Sequence, residues 1–220
     1  MNLKLLHIFL LSTAGTFLLC TPFINTVELA NGLVTGKMCW FHLAMLFFSV
    51  CVFFVMLTKK GTVIAFTFSD PLVLFFAGGV LITYKWNLNP EPEKLIFAGQ
   101  LVILWFLLRY VLTAYREFKF FFLFVLMFTG LIEAVWGMQQ LHGYSHSNHS
   151  LFRLTGSFFN PGPYSGYIAV ILPVCLWTAL RFQKGMHYFA WICVGAILIV
   201  LPAGMSRSAW IAAVVACGWV

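Results

Sequence analysis

Long apolar runs, several of them long enough to cross a bilayer, follow one another along most of this chain. A membrane-spanning helix needs about 20 predominantly apolar residues, and 62% of the 220 residues are hydrophobic whereas only 9% are charged. A water-soluble body of this length could not bury so many apolar side chains. The runs also lack the alternation of apolar and polar residues that marks a membrane β-barrel. The sequence therefore predicts an all-α, polytopic membrane protein.

The apolar runs predict seven to eight transmembrane helices in a single domain over residues 1–220, the last helix being incomplete. Because the chain stops inside an apolar run, we expect it to be the N-terminal portion of a longer membrane protein. The predicted helices are Leu3–Phe23, Met38–Leu57, Pro71–Tyr84, Leu95–Thr113, Phe118–Gln140, Tyr164–Leu180, Tyr188–Ala203 and Ala209–Val220.

The third predicted helix is short, and two interpretations of its start remain open. In the first, Asp70 is the N-cap and Pro71 occupies the first helical position, which both residue types favour. In the second, one longer helix from Thr62 to Tyr84 buries Asp70 in the membrane. A buried carboxylate is costly, so the second interpretation would imply a functional role for Asp70. The order Ser69-Asp70-Pro71 favours the first.

The distribution of lysine and arginine among the loops favours a cytoplasmic N-terminus. With this orientation eight cations lie on the cytoplasmic side and five on the other, as the positive-inside rule requires. The loops near residues 24–37, 85–94, 141–163 and 204–208 are then outside, which is the periplasm in a Gram-negative cell. The cytoplasmic cations are Lys4, Lys59, Lys60, Arg109, Arg116, Lys119, Arg181 and Lys184.

Cysteine and histidine give little sign of a metal site. The six cysteines lie mostly in apolar runs without a CxxC pair, as buried small residues do. His142, His146 and His149 are four and three residues apart, but the intervening glycine and serines favour a flexible loop. One of them could act as a general base, although their spacing does not select which. We therefore expect no metal or other cofactor. The scattered cations form no basic face, so no nucleic-acid partner is expected.

The stretch RLTGSFFNPGPYSGYIAVILP, from Arg153 to Pro173, is rich in residues that shape a loop. Its prolines lack backbone donors and its glycines tolerate positive φ, so residues 156–163 are predicted to be a loop before a helix. The start of that helix, with Asn160 and Tyr164 nearby, would direct free N–H groups at the loop and favour an anion. The alternative is a rigid re-entry turn between two membrane helices.

A second candidate anion site lies at GMSRSAW, residues 204–210. A helix that begins with serine leaves N–H donors free, and Arg207 beside Ser206 can hold a phosphate through two parallel hydrogen bonds. The alternative is an interfacial arginine that reaches a lipid phosphate. Arg153 and Arg207 both fall on the outside in the predicted topology, and both adjoin helix starts. Together they predict a diphosphate site.

Glu133 is the one acidic residue inside the fifth predicted helix. A charged side chain at the bilayer centre costs roughly 2.5–3.5 kcal/mol on insertion scales. Glu133 is therefore expected to face a cavity or another helix, where it pairs with an arginine or serves as a hydrogen-bonded structural residue. We include it among the candidate substrate-binding residues.

GSFFNPGPYSGYIAVILP after Arg153, followed by MSRSAW, resembles the motifs of the bacterial O-antigen ligase and O-antigen polymerase superfamily. The motif resemblance extends from Phe152 to the end of the chain. The earlier part resembles the family only in the arrangement of its predicted helices. Members carry a later, large outside loop with a catalytic histidine and further helices, which this chain does not contain. The resemblance therefore implies that these residues alone are inactive.

The resemblance implies that a glycan is transferred from undecaprenyl diphosphate to a lipid or glycan acceptor on the outer face of the bacterial inner membrane. Neither a metal nor a nucleotide sugar takes part in this step in the family. By analogy, Arg207 and Arg153 would hold the diphosphate leaving group, with Ser206, Asn160, Tyr164 and Glu133 nearby. The alternative function is a transporter or flippase subunit for lipid-linked or other anionic substrates. A transporter would place ionisable residues near mid-bilayer, where this sequence has few.

Overall fold

The computed structural model describes residues 3–26, 31–59, 61–62, 64, 67–87 and 89–220. Helices, and no strands, occur among these residues, so the predicted all-α class is confirmed. Lys60, part of the stretch between Thr62 and Ser69, and parts of the predicted loops near 24–37 and 85–94 lie outside the described residues.

Each predicted helix corresponds to one observed α-helix. The largest difference is at the second, which begins at Gly32 rather than at Met38. Among the described residues, five helical segments are long and apolar enough to cross a membrane, namely α2, α4, α5, α6 and Gly185–Gly204. The helices are α1 Leu3–Leu19, α2 Gly32–Thr58, α3 Ser69–Trp86, α4 Pro92–Ala114, α5 Arg116–Leu141, α6 Pro161–Arg181, α7 Gly185–Val200 and α8 Arg207–Gly218.

The contacts divide the chain into two compact units, where the sequence predicts a single domain. Unit 1 comprises residues 1–18 and 41–120, and unit 2 comprises residues 19–40 and 121–220. Each unit is described by itself below.

In unit 1, Asp70 joins the start of α3 to the later part of α4. Its Oδ2 accepts hydrogen bonds from the backbone N–H (2.6 Å) and the hydroxyl (3.2 Å) of Thr67. Its Oδ1 accepts from Trp105 Nε1 at 3.0 Å and forms an ion pair with Arg109. Asp70 is fully buried. Both carboxylate oxygens therefore have protein partners.

The two interpretations of Asp70 made from the sequence are each partly wrong. Helix α3 starts at Ser69, so no long helix from Thr62 forms over the described residues. Asp70 is not the N-cap either: it lies in the first turn and bonds back to Thr67, three residues earlier, as the acidic residue of a capping box does. Asp70 is nevertheless buried, as the second interpretation expected. The cost of burying its carboxylate is offset by the ion pair with Arg109.

His7 on α1 joins two other parts of unit 1, the end of α2 and the residue after α4. Its Nδ1 is 2.5 Å from the hydroxyl of Tyr115, and its Nε2 is 2.8 Å from that of Thr58. Beside it, the ammonium of Lys59 donates to the carbonyl of Ala114. His7 is buried with both ring nitrogens hydrogen-bonded, so it has a structural role.

In unit 2, α6 lies at the centre of the apolar core. Tyr164, Ile168 and Ile171 are fully buried on its inner face, and the helix packs against α7 and α8. Close approach to α5 occurs at Gly130, where a Cβ would meet the side chain of Ile171 at 2.8 Å. The motif-bearing helix is therefore the element around which unit 2 is built.

The starts of α6 and α8 lie at the same end of unit 2. Ser165, in the first turns of α6, donates a hydrogen bond to the carbonyl of Gly204 at 3.0 Å. Gly204 precedes α8 by three residues and ends a 3-10 turn that begins at Pro202. The loop between α5 and α6 runs into the same end, because it leads directly to Asn160. Arg153 and Arg207 therefore belong to one end of the unit.

Candidate functional site

Gln140, in the last turn of α5, organises the loop of residues 142–160, which we call the α5–α6 loop. Its Oε1 accepts from the N–H groups of Thr155 (2.9 Å) and Gly156 (2.7 Å). Its Nε2 donates to the carbonyls of His146 (3.0 Å) and Gly156 (3.1 Å). One buried amide thus satisfies four backbone groups.

Further hydrogen bonds join the two arms of the α5–α6 loop. Asn148 Nδ2 donates to the carbonyls of Gly156 (3.2 Å) and Phe158 (3.1 Å), and its backbone N–H donates to the hydroxyl of Thr155. Ser147 Oγ donates to the carbonyl of Phe152 at 2.5 Å. The sequence predicts a flexible loop here because glycine and serine are frequent. The structure instead has these serine and asparagine side chains bonded within the loop.

Replacing Gln140 with leucine is expected to lower the free energy of unfolding by about 2–6 kcal/mol. The change leaves the buried N–H groups of Thr155 and Gly156 without an acceptor, at about 1–3 kcal/mol each. The matched control is Gln139→Leu, because Gln139 is exposed on the neighbouring position. Unfolding in mixed detergent micelles would measure both variants. Equal stability of the two variants would contradict the role assigned to Gln140.

Glu133 is fully buried on α5 and bonds to the loop backbone. Its Oε2 accepts from the N–H of Ser157 at 3.0 Å, while Oε1 has no hydrogen-bond partner among the described residues. Gly156 has φ +54°, and a Cβ at this position would collide with Glu133 Oε2 and the ring of Tyr164. Glycine is therefore required here, as the loop prediction anticipated for Gly156.

Lys37, which sequence analysis missed, takes part in the same cluster. Its ammonium donates to the carbonyls of Pro22 and, at 2.9 Å, Ile24, and it lies 5.5 Å from the ring centre of Phe158. Ser157 Oγ also donates to the Pro22 carbonyl, at 2.6 Å. Glu133 forms no ion pair with an arginine in the described part of the chain. Of the two alternatives that the sequence left open, the hydrogen-bonded structural glutamate is therefore the one observed.

Tyr164 is buried rather than presented to a ligand. Its hydroxyl donates to the backbone carbonyl of Glu133 at 3.2 Å, and its ring packs against Gly137 and Gly156. Tyr164 and Glu133 thus both contact the inner side of the α5–α6 loop. Their position suits residues that hold the loop rather than residues that touch a substrate.

The start of α6 has its N–H groups already occupied. Asn160 is the N-cap, as its position before Pro161 suggests, and its Oδ1 accepts from Gly162 N–H at 2.9 Å. Pro161 and Pro163 have no N–H, and Tyr164 N–H donates to the Asn160 carbonyl at 3.5 Å. The helix also begins at Pro161, so the loop is shorter than predicted. The expectation of free N–H donors at this helix start is therefore wrong, and only the dipole would favour an anion.

The start of α8 is different. Ser206 is the N-cap and its Oγ accepts from the N–H of Ala209 at 3.4 Å. Helix geometry leaves the N–H groups of Arg207 and Ser208 without an intrahelical acceptor. The side chain of Arg207 is exposed and has no ion-pair or hydrogen-bond partner among the residues that the structure describes. Free N–H groups, a positive dipole end and a guanidinium therefore coincide at α8.

Arg153 lines a polar cavity of about 350 Å³ at the end of α5, which we call the loop pocket. The cavity is formed by residues 140–143, 145–147 and Arg153. Like Arg207, Arg153 is exposed and unpaired within the described part of the chain. The structure thus places the six candidate residues in unit 2, with Arg153, Asn160, Ser206 and Arg207 at least partly accessible at one end.

Residues with metal-binding potential do not converge in the described part of the chain. No group of three or more histidine, cysteine, aspartate or glutamate side chains there could hold a metal ion. His149 instead bonds within the α5–α6 loop, where its Nδ1 accepts from Leu151 N–H at 3.0 Å. None of the six cysteines, all of which lie in the described part of the chain, forms a disulfide bond.

Comparisons of the chain with protein-family models, with curated proteins and with solved structures give no match. Any functional assignment therefore depends on the residues of the site itself.

Proposed function

We propose that this chain belongs to a membrane enzyme that transfers a glycan from undecaprenyl diphosphate to a lipid or glycan acceptor on the outer face of the bacterial inner membrane. The sequence motifs of α6 and α8 that resemble O-antigen ligases and polymerases support the proposal. The observation that carries it is the start of α8, where Arg207 combines an exposed guanidinium with free backbone donors.

The reaction requires stabilisation of a departing diphosphate. An acceptor hydroxyl attacks the anomeric carbon of the glycan, a new C–O bond forms, and the C–O bond to the diphosphate breaks. The diphosphate leaves with the electron pair and gains negative charge, while the acceptor proton passes to a base. Arginines and N–H groups aimed at the developing charge lower the barrier. Arg207, assisted by Arg153, would supply this stabilisation, and the base is expected on the later outside loop of the family.

The remaining candidate residues fit a supporting role in this proposal. Ser206 and Asn160 cap the two helices that begin at this end of unit 2. Glu133 accepts a hydrogen bond from the N–H of Ser157 in the α5–α6 loop, which carries Arg153, and the ring of Tyr164 packs against Gly156 of the same loop. In this proposal the α5–α6 loop keeps Arg153 near the outer surface of the membrane, where the diphosphate group of the lipid-linked donor lies.

Surface polysaccharide in cells that carry variants of the native protein would test the proposal. Arg207→Gln is expected to abolish the polysaccharide at a normal protein level and to leave lipid-linked glycan accumulated on the outer leaflet. The control is Arg181→Gln, an equal change of charge at the exposed last turn of α6, which should preserve the polysaccharide. Wild-type polysaccharide from both Arg207→Gln and Arg153→Gln would refute the proposal.

A transporter or flippase subunit is the second candidate. The observation that favours it is the buried ion pair Asp70–Arg109, because buried ionisable residues in membrane proteins often mark transport paths. The predicted topology places this pair near the cytoplasmic ends of α3 and α4 rather than at mid-bilayer. In that case the neutral double variant Asp70→Asn/Arg109→Gln would abolish the polysaccharide and leave lipid-linked glycan on the inner leaflet. The enzyme proposal predicts that this double variant retains the polysaccharide if it folds, since the pair lies outside the diphosphate site.

A further inference from the structure

Unit 1 contains a cavity of about 530 Å³ where the start of α1, the end of α2 and the junction between α4 and α5 meet. We call it the N-terminal pocket. Three cations line it, Lys4, Lys59 and Arg116, together with one carboxylate, that of Glu117. Its volume lies within the range of small-ligand sites. None of these residues takes part in the proposed glycan transfer.

The contacts within the N-terminal pocket leave an excess of positive charge. The ammonium of Lys4 forms an ion pair with Glu117 at 2.6 Å, and both side chains are about half exposed. The ammonium of Lys59 donates to the carbonyl of Ala114, which satisfies one donor without neutralising the charge. Arg116 is exposed and has no ion-pair or hydrogen-bond partner among the residues that the structure describes. Two of the three cations therefore lack a carboxylate partner there.

The N-terminal pocket lies where apolar helices give way to loops. Leu3, Thr58 and Thr113 all line it, and each is within one residue of an end of a predicted transmembrane helix. The predicted topology places these ends at the cytoplasmic surface. Leu3 is exposed, and so is Phe120, which follows Arg116 by one turn on the same face of α5. A bound molecule would therefore meet both cations and apolar side chains.

We propose that the N-terminal pocket binds an anionic glycerophospholipid of the cytoplasmic leaflet, with its phosphate at Arg116 and Lys59 and its acyl chains beside Leu3 and Phe120. A guanidinium holds two phosphate oxygens through parallel hydrogen bonds, and an ammonium has three donors. Basic pockets between transmembrane helices on the cytoplasmic side bind such headgroups. The exposed apolar side chains favour a lipid over a soluble anion, which would gain nothing from them.

Native mass spectrometry of the purified chain in detergent, with phosphatidylglycerol and phosphatidylcholine of equal chain length, would test the inference. The wild type should retain phosphatidylglycerol in preference to phosphatidylcholine. Arg116→Gln should lower the affinity for phosphatidylglycerol about fivefold, the loss expected for one basic residue beside an anionic headgroup. Glu117→Gln should raise this affinity, because it removes a carboxylate from the pocket and releases Lys4. Arg181→Gln, the same loss of charge at an exposed position outside the pocket, should bind as the wild type does.

Circular dichroism separates loss of binding from loss of fold, and the exposed positions of Arg116, Glu117 and Arg181 make a folding defect unexpected. Equal retention of the two lipids by the wild type would overturn the inference. An equal loss of affinity in Arg116→Gln and Arg181→Gln would also overturn it, because general attraction by surface charge would then explain the binding. The affinity of Glu117→Gln must change in the opposite direction to that of Arg116→Gln, so unchanged or weaker binding by Glu117→Gln would contradict the pocket.

The soluble headgroup glycerophosphoglycerol distinguishes a lipid from a free anion. At the same concentration as phosphatidylglycerol it should not displace the lipid, because it lacks the acyl chains that would contact Leu3 and Phe120. Displacement by the soluble headgroup at equal concentration would refute the lipid as occupant. None of these measurements depends on Arg207, so the proposed glycan transfer is tested separately.

Discussion

Replacing Arg109 with alanine is expected to lower the free energy of unfolding by about 3–5 kcal/mol, the cost of leaving one member of a buried ion pair without its partner. The Asp70 carboxylate is 0% exposed, and the Arg109 side chain is 19% exposed. Without the guanidinium, Oδ1 of Asp70 retains only the indole N–H of Trp105. Since folded proteins are stable by only about 5–15 kcal/mol, this loss is a large fraction of the total.

Unfolding of the purified protein in mixed detergent micelles would measure the effect. The matched control is Arg116→Ala, because Arg116 is exposed at the start of α5, and a change within about 0.5 kcal/mol is expected there. Adding Asp70→Asn to Arg109→Ala should recover part of the stability, because the unpaired buried charge is removed. If Arg109→Ala is as stable as Arg116→Ala, the buried pair does not hold α3 to α4.

The helices could be predicted from the sequence because each depends on a local run of apolar residues. Asn160 and Ser206 are N-caps and belong to the residue types that favour this position, although the predicted helices begin a few residues later, at Tyr164 and Ala209. Gly156 was expected to allow positive φ, and it does so at +54°. All of these features depend on residues a few positions apart.

The partners of the buried polar residues could not be predicted, because they come from distant parts of the chain. Asp70 meets Arg109 from the next helix, and Glu133 bonds to the backbone of Ser157. Lys37 reaches the same cluster from α2. The residues next to Gln140 in the sequence do not indicate its role, because its five polar contacts form only once the α5–α6 loop has folded back over α5.

The helix starts show how a local pattern can mislead. The predicted start of a helix near Tyr164 suggested free N–H donors. In the structure Pro161 and Pro163 have no N–H, and Asn160 accepts from the N–H groups of Gly162 and Tyr164. At α8 no proline intervenes, so the first N–H groups remain without an intrahelical acceptor. The number of free donors, rather than the presence of a helix start, makes α8 the better candidate anion site.

The second large effect is expected at Arg207. In the proposed reaction its guanidinium interacts most strongly with the diphosphate as negative charge develops, and removal of such a group slows catalysis about 100–1000-fold. Arg207→Lys keeps the charge but loses the planar pair of donors, so its rate should lie between those of the wild type and Arg207→Gln. Stability should change little, because Arg207 is exposed.

The rate at which the purified native protein releases undecaprenyl diphosphate from a lipid-linked glycan donor tests the central claim most directly. In nanodiscs with a suitable acceptor, we expect Arg207→Gln to release it about 100–1000-fold more slowly than the wild type, with Arg181→Gln unaffected. Release by Arg207→Gln at the wild-type rate would contradict the claim that the start of α8 stabilises the leaving diphosphate.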